Sequence, residues 1–494
     1  MQQSTYQSAL LSLSLDRGAA LPLSAQLTEH LRRLILARRL EPGAKLPSSR
    51  SLAEELSVSR ATIVAAYDQL ASEGYIESRQ GAGMYVAAAI PDHALQAEAP
   101  DRTPSPSPSS APRLSQPPPP VPFQTTLPDL SLFPHAEWAR LFDRVWRAPA
   151  PALLGMPDPL GWAPLREAIA EHLSIWRGVA CAAAQVVVTS GAFEAIDILA
   201  QAALQTGDRV LVEDPGFRKM RRALQRSGLE PAPVPVDDDG FDIALGRQLW
   251  PDARAAVVTP SRHYPLGATL PLSRRLDLLN WASTTDGLII EDDYDSEYRY
   301  EGRPLPALMG LDDGERTAYV GSFSKVLAPS LRLGFVVAPP RLLSAVEQVM
   351  AASGPSAGLT LQPVLARFMA DGSFAAHIRR TRRAYAGRQR ALIAAIQALP
   401  PGLLLARPAP AGMHLVVDLA PALQRRMTDG EAARRLAANG VTAQALSSFF
   451  AGPPTRQGLV LGYAGFDEAA LRAGVARIGE ALSAKGARAR LEPA

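Results

Sequence analysis

A serine-rich turn with one lysine and one arginine combines residue types that bind phosphate and that react with aldehydes. The turn Ser322-Phe-Ser324-Lys325 follows an apolar run that begins at Tyr319, and Arg332 comes shortly after the lysine. Serine hydroxyls and a guanidinium suit a phosphate group. A lysine in a partly apolar pocket can form a Schiff base with an aldehyde. One ligand needs both functions, pyridoxal phosphate (PLP). The alternative is a surface lysine in a serine-rich turn, because so short a motif is weak by itself.

The elements that must position this turn are strands of an α/β sheet. From about residue 127 to 482, short apolar runs alternate with helical stretches. Continuous apolar strands between helices predict a mostly parallel sheet. We expect its strands at 186–189, 209–212, 255–258, 287–290, 318–320 and 334–337. Ligands of such sheets bind at the carboxyl ends of the strands.

Candidate ligand-binding residues follow several of these predicted strands. Gly191 and Ala192 open a helix, whose backbone N–H groups and dipole suit a phosphate. Phe217 can stack on a pyridine ring. Asp292 can keep a pyridine nitrogen protonated, and Tyr294 can reach the phenolic oxygen of the ring. Each feature alone has an ordinary explanation, such as a Ser-Gly turn, a core phenylalanine or a surface acidic cluster, so the hypothesis depends on the whole set.

The N-terminal stretch has the pattern of a winged helix-turn-helix. Leu27, Leu31 and Ile35 share one face of a helix that begins near Leu23, and Glu41-Pro-Gly ends it. Serine caps open a second helix near residue 48 and a third at residue 60. Two short strands around a glycine turn at 79–83 then predict a hairpin. Such a domain places the third helix in the major groove of DNA.

This stretch closely resembles the GntR family of bacterial transcription regulators. The resemblance is carried by Leu46-Pro-Ser-Ser-Arg50, Val58-Ser-Arg-Ala-Thr62, Tyr67-Asp-Gln-Leu70 and Glu73-Gly-Tyr-Ile76. It implies a DNA-binding domain at residues 1–88. The residues that it implies as DNA contacts are Arg50, Arg60, Thr62, Gln80 and Gly81. A winged helix that binds protein is the alternative.

Residues 89–125 are rich in proline and serine and include Pro117-Pro-Pro-Pro120. Proline holds the chain extended, so we expect a semi-rigid linker, serving either a moving domain or passive spacing.

Other features of the chain concern its compartment. A single cysteine, Cys181, suits a reducing cytoplasm, where we expect it to be a packing residue. No apolar run is long enough to span a bilayer, and the N-terminus lacks a signal-peptide pattern. We therefore expect a cytoplasmic protein without a metal site. The net charge of +3 is too small to indicate nucleic-acid binding by itself.

Residues 126–494 resemble the fold-type I aminotransferases, and the whole chain resembles the MocR subfamily of GntR regulators. The resemblance implies Lys325 as the lysine that forms the Schiff base with PLP, Asp292 at the pyridine nitrogen and Tyr294 at the phenolic oxygen. It also implies Phe217 as the stacking ring. The residues that it implies as phosphate ligands are Gly191, Ala192, Ser322, Ser324 and Arg332.

The chain also departs from the aminotransferase pattern. Met156 stands where a tyrosine reaches across the dimer, and Tyr264 replaces the asparagine of an Asn-Pro-Thr-Gly motif. Val460 stands where the arginine that binds the substrate carboxylate is expected; Arg456 is in the preceding loop, and Lys219 is a partial substitute. Loss of a bidentate arginine weakens amino-acid binding sharply.

These features predict a PLP-dependent transcription regulator that binds operator DNA and senses PLP, or a PLP adduct with an amine or amino acid. Its large domain would then act as a sensor rather than as an enzyme. The alternatives are an active aminotransferase with an appended DNA-binding domain and a vestigial fold used for dimerisation. The resemblance implies a homodimer, with head-to-tail exchange of the DNA-binding domains as one arrangement. Target genes, the sign of regulation and the effector are left open by the sequence.

Overall fold

A computed structural model describes residues 15–18, 21–79, 83–88, 121–125, 127–302, 305–312, 315–354 and 357–483. The chain divides into two compact units, residues 1–117 and 118–494.

The described part of the N-terminal unit is a winged helix-turn-helix, as predicted. Its elements are α1 (Leu23–Leu36), α2 (Ser49–Glu55), α3 (Arg60–Ser72), β1 (Ile76–Arg79) and β2 (Gly83–Val86). The two strands pair antiparallel and form the wing. Both predicted caps are present: Ser48 Oγ accepts from the N–H of Ser51 at 3.1 Å, and Ser59 Oγ accepts from the N–H of Thr62 at 3.2 Å. The apolar faces of the helices meet in a small core that includes Leu27, Leu31 and Ile63.

The second unit contains a mostly parallel sheet of eight strands within the described residues. The strands are β3 (Val186–Thr189), β4 (Arg209–Asp214), β5 (Glu230–Asp237), β6 (Gly240–Phe241), β7 (Ala255–Val258), β8 (Leu288–Asp293), β9 (Thr317–Ser322) and β10 (Gly334–Val337). Their order across the sheet is β3-β10-β9-β8-β7-β4-β5-β6. The neighbours from β9 to β5 are parallel, whereas β10 runs antiparallel to both β3 and β9. The mostly parallel sheet predicted from the apolar runs is confirmed.

Alternate residues of these strands enter cores on opposite faces of the sheet. Val212 and Ile290 pack in one cluster, whereas their neighbours Leu211 and Ile289 pack in another. The helices of the unit are α4 (His135–Trp146), α5 (Ala163–Arg177), α6 (Ala192–Ala203), α7 (Arg218–Arg226), α8 (Ile243–Leu249), α9 (Leu272–Thr285), α10 (Leu343–Ser353), α11 (Gln362–Ala370), α12 (Ser373–Gln397), α13 (Pro421–Gln424), α14 (Asp429–Ala438) and α15 (Glu468–Ser483).

A smaller antiparallel sheet follows α12 in the chain. Its strands are β11 (Leu404–Ala406), β12 (His414–Leu419), β13 (Gln444–Ala445) and β14 (Gly458–Gly462), in the order β11-β12-β14-β13. Phe123 forms an isolated bridge to Gly462 and is fully buried. Residues 121–125, which the composition places in the linker, therefore pack against the large unit, because a buried phenylalanine anchors them there.

Candidate functional site

The candidate residues of the large unit gather at the carboxyl edge of its central sheet. Gly334, the first residue of β10, pairs with Thr189 on β3 and with Ser322 on β9. This register brings the Ser-Gly turn after β3 and the Ser-Phe-Ser-Lys turn after β9 to either side of one glycine. A Cβ on Gly334 would lie 2.9 Å from the Cα of Gly191, so glycine is required for this close approach. The three segments predicted to bind phosphate therefore adjoin.

Lys325 lies in a half-buried position in the turn after β9. The hydroxyl of Tyr298 donates to its backbone carbonyl at 3.3 Å, and His377 Nε2 donates to the carbonyl of Val326 at 2.7 Å. Burial lowers the pKa of the lysine to about 8, while the charges of Asp292 and Asp295 oppose this change. A usable share of neutral, nucleophilic amine is therefore present near neutral pH.

Asp292 faces away from the ion pairs that hold its two neighbours. Glu291 and Asp293 lie on the other face of β8, where Arg177 Nε approaches Asp293 Oδ2 at 2.9 Å. Burial, and then Asp293, raise the pKa of Asp292 to about 7, whereas the Lys325 ammonium favours its anion. A protonated ring nitrogen at this carboxylate would supply the positive charge that the anion needs.

Tyr294 is held by a residue that the sequence analysis left without a role, Arg262. Nη1 of Arg262 donates to Tyr294 Oη at 2.9 Å and to Asp295 Oδ2 at 3.2 Å. Because the tyrosine oxygen accepts from the guanidinium, its own O–H is available to a ligand oxygen. Burial raises the pKa of Tyr294 well above its ordinary value, so this hydroxyl keeps its proton.

Phe217 precedes α7 and has aromatic neighbours on two sides. Its ring is stacked with that of Phe193 (centroids 6.0 Å apart, planes 17° apart), and the edge of Tyr264 meets it at 5.4 Å. Phe193 directly follows Gly191-Ala192, so the stacking ring and the Ser-Gly turn support each other. The sequence signal for Phe193 was its position next to that turn.

The predicted phosphate ligands differ in their exposure. Gly191 precedes α6 with a φ of 138°, and a Cβ built on it would meet no atom within 4 Å. This space at the N-terminus of a 12-residue helix suits an anion. Ser322 Oγ accepts from the N–H of Ser324 at 3.3 Å. Arg332 has a left-handed φ of 50°. Its side chain is exposed and therefore does not pack in the core.

A second buried carboxylate, Glu213 at the end of β4, was missed by the sequence analysis. It accepts hydrogen bonds from the N–H and the hydroxyl of Thr259, at 2.9 and 2.7 Å. Burial raises its pKa to about 7, and the nearby charge of Asp292 adds to the effect. Its position in Glu213-Asp-Pro-Gly-Phe217, between a strand and the candidate stacking ring, was the available signal.

Arg456 and Lys219, the two residues considered as substitutes for a carboxylate-binding arginine, lie in different surroundings. Arg456 forms a bidentate pair with Asp418, with distances of 2.7 and 2.9 Å. Lys219 is exposed on α7 and is close enough to Lys325 to lower its pKa. Val460, at the centre of β14, is fully buried among Tyr264, Leu446 and Phe449.

The candidate DNA contacts lie at the α2–α3 end of the N-terminal unit. Arg50 and Arg60 are exposed and line one shallow depression, where Arg60 Nε donates to Ser49 Oγ at 3.2 Å. Thr62 is half-buried in the first turn of α3. Gln80 and Gly81 lie outside the described residues.

Two basic residues were missed, Arg79 of the wing and Lys45, which precedes α2 and forms an isolated bridge to Tyr85 of the wing. Arg79 and Lys45 lie 4.6 and 5.9 Å from the ring centroid of Tyr85. The basic charge of Arg79 in the predicted hairpin was a usable signal, whereas only the tertiary structure brings Lys45 to Tyr85.

No described helix is long and apolar enough to cross a membrane. In the same part of the chain, no group of three or more histidine, cysteine or acidic side chains is arranged to hold a metal ion.

Two family models match the chain. The model of aminotransferase class I and II matches residues 133–478, and that of bacterial regulatory proteins of the gntR family matches residues 23–86. The probable rhizopine catabolism regulatory protein MocR of Rhizobium meliloti is 40% identical over 94% of both chains. The chain belongs to the MocR subfamily of GntR regulators. The pyridoxine biosynthesis transcriptional regulator PdxR of Corynebacterium glutamicum is 35% identical over 96% of this chain and 99% of its own.

Aminotransferases are among the solved structures that are similar to this MocR-type chain. α-Aminoadipate aminotransferase LysN of Thermus thermophilus is 28% identical, with a TM-score of 0.65, covering 73% of this chain and 91% of LysN. Kynurenine aminotransferase of Pyrococcus horikoshii is 25% identical, with a TM-score of 0.66, covering 73% and 90%. The large unit therefore has the fold-type I aminotransferase architecture, and the chain is a transcription regulator with a GntR-type DNA-binding domain.

Proposed function

We propose that this regulator binds PLP in its aminotransferase-like unit and changes its affinity for operator DNA when an amine or amino acid reaches the PLP-loaded site. The observation that carries the proposal is the environment of Lys325. A half-buried lysine whose pKa is lowered to about 8 adjoins a carboxylate, Asp292, whose pKa is raised to about 7. Buried groups perturbed in this way cluster at functional sites.

The residues present suit PLP at each of its polar groups. Lys325 offers an amine to the aldehyde, Asp292 offers an anion to the ring nitrogen, and Tyr294 offers an O–H to the phenolic oxygen. The open space at Gly191, the hydroxyls of the turn after β9 and the exposed Arg332 suit the phosphate. When bound, PLP supplies an aldehyde that condenses with amines and a ring that withdraws electrons.

The residues around the ligand divide the remaining tasks. Phe217, backed by Phe193, would fix the plane of the ring. Arg262 would orient the Tyr294 hydroxyl, because its guanidinium occupies the tyrosine's acceptor side. Neutral Lys325 can accept a proton, whereas its charged form is stabilised by Asp292 and Asp295.

A sensing role is favoured over turnover because, of the described residues, the two expected to supply a carboxylate-binding arginine do not offer a free guanidinium. Val460 is an aliphatic core residue, and Arg456 is occupied by Asp418. Active transamination is the second candidate, because a lysine of lowered pKa is suited to moving protons. Incubation of the PLP-loaded protein with amino acids would yield keto acid in that case, and the sensing role predicts none above the Lys325→Ala background.

We further propose that the regulator is a homodimer in the cytoplasm. Leu154 and Met156 precede α5 and are 70% and 94% exposed, which leaves apolar side chains for a second copy to cover. Two DNA-binding units would then contact two half-sites. Sedimentation of a monomer alone at micromolar concentration would contradict this proposal.

The deciding experiment is the visible absorption spectrum of the purified full-length protein after addition of PLP, compared with Lys325→Ala. We expect a visible band in the wild type that the variant lacks. The chain has four lysines, Lys45, Lys219, Lys325 and Lys485. Reduction with borohydride followed by peptide mass spectrometry should therefore place the pyridoxyl group on Lys325. A wild-type protein that stays colourless, or a label on another lysine, would refute the PLP site.

A further inference from the structure

Positive charge is concentrated at the start of α7. The helix spans Arg218–Arg226, and four of its first five residues are basic: Arg218, Lys219, Arg221 and Arg222. Its first turn contains no acidic residue. The positive end of a helix dipole lies at the N-terminus, so cations are unfavourable there and an anion is favourable. An anion would therefore stabilise this end of α7, and the first turn supplies none.

A surface cavity of about 390 Å³ lies beside these arginines. Arg218, Arg221 and Arg222 line it, and none of the described residues that line it is acidic. Its volume is in the range of small-molecule sites, roughly 300–1,000 Å³. The planar fork of a guanidinium matches the oxygens of a phosphate group in pairs. The cavity therefore has the size and the donors for a small molecule that carries a phosphate.

Arg221 is the half-buried member of the three arginines. Its Nη1 donates to the carbonyl of Phe449 at 3.1 Å, which holds the side chain without neutralising its charge. Burial lowers the pKa of Arg221, Asp214 opposes this change, and Arg218 adds to it. The carboxylate of Asp214 accepts from the N–H of Ala451 at 2.6 Å. Among the described residues Arg221 has no salt-bridge partner, so its charge is available to an anion.

Other parts of the cavity lining are apolar. Pro231 and Pro233 are alternate residues of β5, are half-buried and have no backbone N–H to donate. Phe450 is also half-buried and lines the cavity with its neighbour Ala451. A phenylalanine ring in such a position suits a planar group that packs against it. The lining therefore favours a phosphate ester with a ring over inorganic phosphate.

We propose that this cavity is a binding site for a small phosphate monoester that carries a planar ring. The phosphate would bind the guanidiniums of Arg218, Arg221 and Arg222, and the ring would lie against Phe450. Two kinds of molecule share this chemistry, a purine nucleotide and a phosphorylated pyridine. The inference goes beyond the proposed function and does not depend on PLP binding.

The test is calorimetric titration of the full-length protein with phenyl phosphate. Arg221 also lines a small cavity with Phe217 and Asp292. The protein is therefore first loaded with PLP and reduced with borohydride, so that the probe cannot enter the proposed PLP site. Phenol and inorganic phosphate are the comparison ligands. We expect phenyl phosphate to bind at least about tenfold more tightly than either, because each of them lacks one of the two contacts.

Two further ligands distinguish the possible sources of the phosphate monoester. AMP is a purine nucleotide, and pyridoxine 5′-phosphate is a phosphorylated pyridine without the aldehyde that reacts with lysine. The ligand that binds more tightly identifies the class that the cavity takes.

Variants of exposed arginines test the assignment to this cavity. The double variant Arg218→Gln, Arg222→Gln removes two guanidiniums that line it, whereas Arg226→Gln removes one that does not line it from the end of the same helix. All three side chains are exposed, so the variants should fold. We expect the double variant to weaken phenyl phosphate binding by at least about tenfold and Arg226→Gln to change it by less than about twofold.

Three results would overturn the inference. One is a wild-type protein that does not bind phenyl phosphate, and another is a double variant that binds it no more weakly than Arg226→Gln does. The third is inorganic phosphate that binds as tightly as phenyl phosphate, which would exclude the contact of the ring with Phe450.

A protein that takes up no PLP refutes the proposed function alone. It is then titrated without loading, and Arg332→Gln, at the proposed phosphate ligands of PLP, is the added control. We expect binding of phenyl phosphate to be unchanged in Arg332→Gln and weakened in the double variant. The reverse pattern would place the probe at the other site and refute this inference.

Discussion

Replacing Asp292 with asparagine should make the amine of Lys325 more reactive and should weaken PLP binding. Burial lowers the pKa of Lys325 to about 8, and among the charges that oppose this effect Asp292 is the strongest. Asparagine has nearly the same shape but no charge. The ammonium of Lys325 thereby loses a partner, so its pKa should fall further.

The size of the effect follows from the charge that is removed. An opposite charge within a few ångströms changes a pKa by about 1–3 pH units, and the lower end applies to a pair that is partly solvated. With a starting pKa of about 8, a fall of about one pH unit raises the neutral share of Lys325 at pH 7 from about a tenth to about a half. Acylation of the amine should then be about fivefold faster at pH 7 and unchanged near pH 10, where both forms are neutral.

The assay is competitive labelling of the PLP-free full-length protein with trace acetic anhydride. The few lysines of the chain are separated by peptide mass spectrometry, and Lys45, in the other unit, is the internal standard. Asp286→Asn is the matched control. Asp286 pairs with Arg316 and Arg341 and has a φ of 56°, a left-handed conformation that asparagine tolerates.

The two arms of this experiment predict opposite changes in one variant. Lys325 should react faster in Asp292→Asn, whereas PLP should bind more weakly because the ring nitrogen loses its anion. A labelling profile that coincides with the wild type, or one displaced to higher pH, would refute the electrostatic account of Lys325. Equal PLP affinity in Asp292→Asn and Asp286→Asn would refute the role of Asp292 at the ring nitrogen.

Three further substitutions test other parts of the molecule. Arg60→Ala should weaken operator binding by about tenfold or more in fluorescence anisotropy and leave the PLP spectrum intact; an effect no larger than that of Arg33→Ala, another exposed arginine, would contradict it. Arg177→Leu should lower the free energy of unfolding by about 3–5 kcal/mol in urea, because it leaves Asp293 buried without its positively charged partner; an unchanged urea midpoint would exclude this. Ser48→Ala should cost about 1 kcal/mol through the lost N-cap of α2, and Ser48→Asp should restore most of it.

Secondary structure was largely predictable where local chemistry decides it. The strands Val186–Thr189, Ala255–Val258 and Gly334–Val337 have the predicted bounds, because buried parallel strands are continuous apolar runs between helices. The starts of α2 and α3 were predictable because a serine caps each one. β8 and β9 extend beyond their apolar runs into Asp292–Asp293 and Gly321–Ser322. Pairing with neighbouring strands keeps these polar residues in the sheet, and local composition does not report such pairing.

The sequence by itself determined the residue types of the candidate site and the strand ends that carry them, since both are local properties. Only the tertiary structure decided which of those residues meet. Arg262 is held by Asp295 and by His414 of the distant β12, and Tyr264 packs with Val460 of β14. The pKa values of Lys325 and Asp292 likewise arise from burial and from neighbours distant in sequence. Burial and long-range contacts follow from how the two sheets pack, and a linear pattern of residues does not specify that packing.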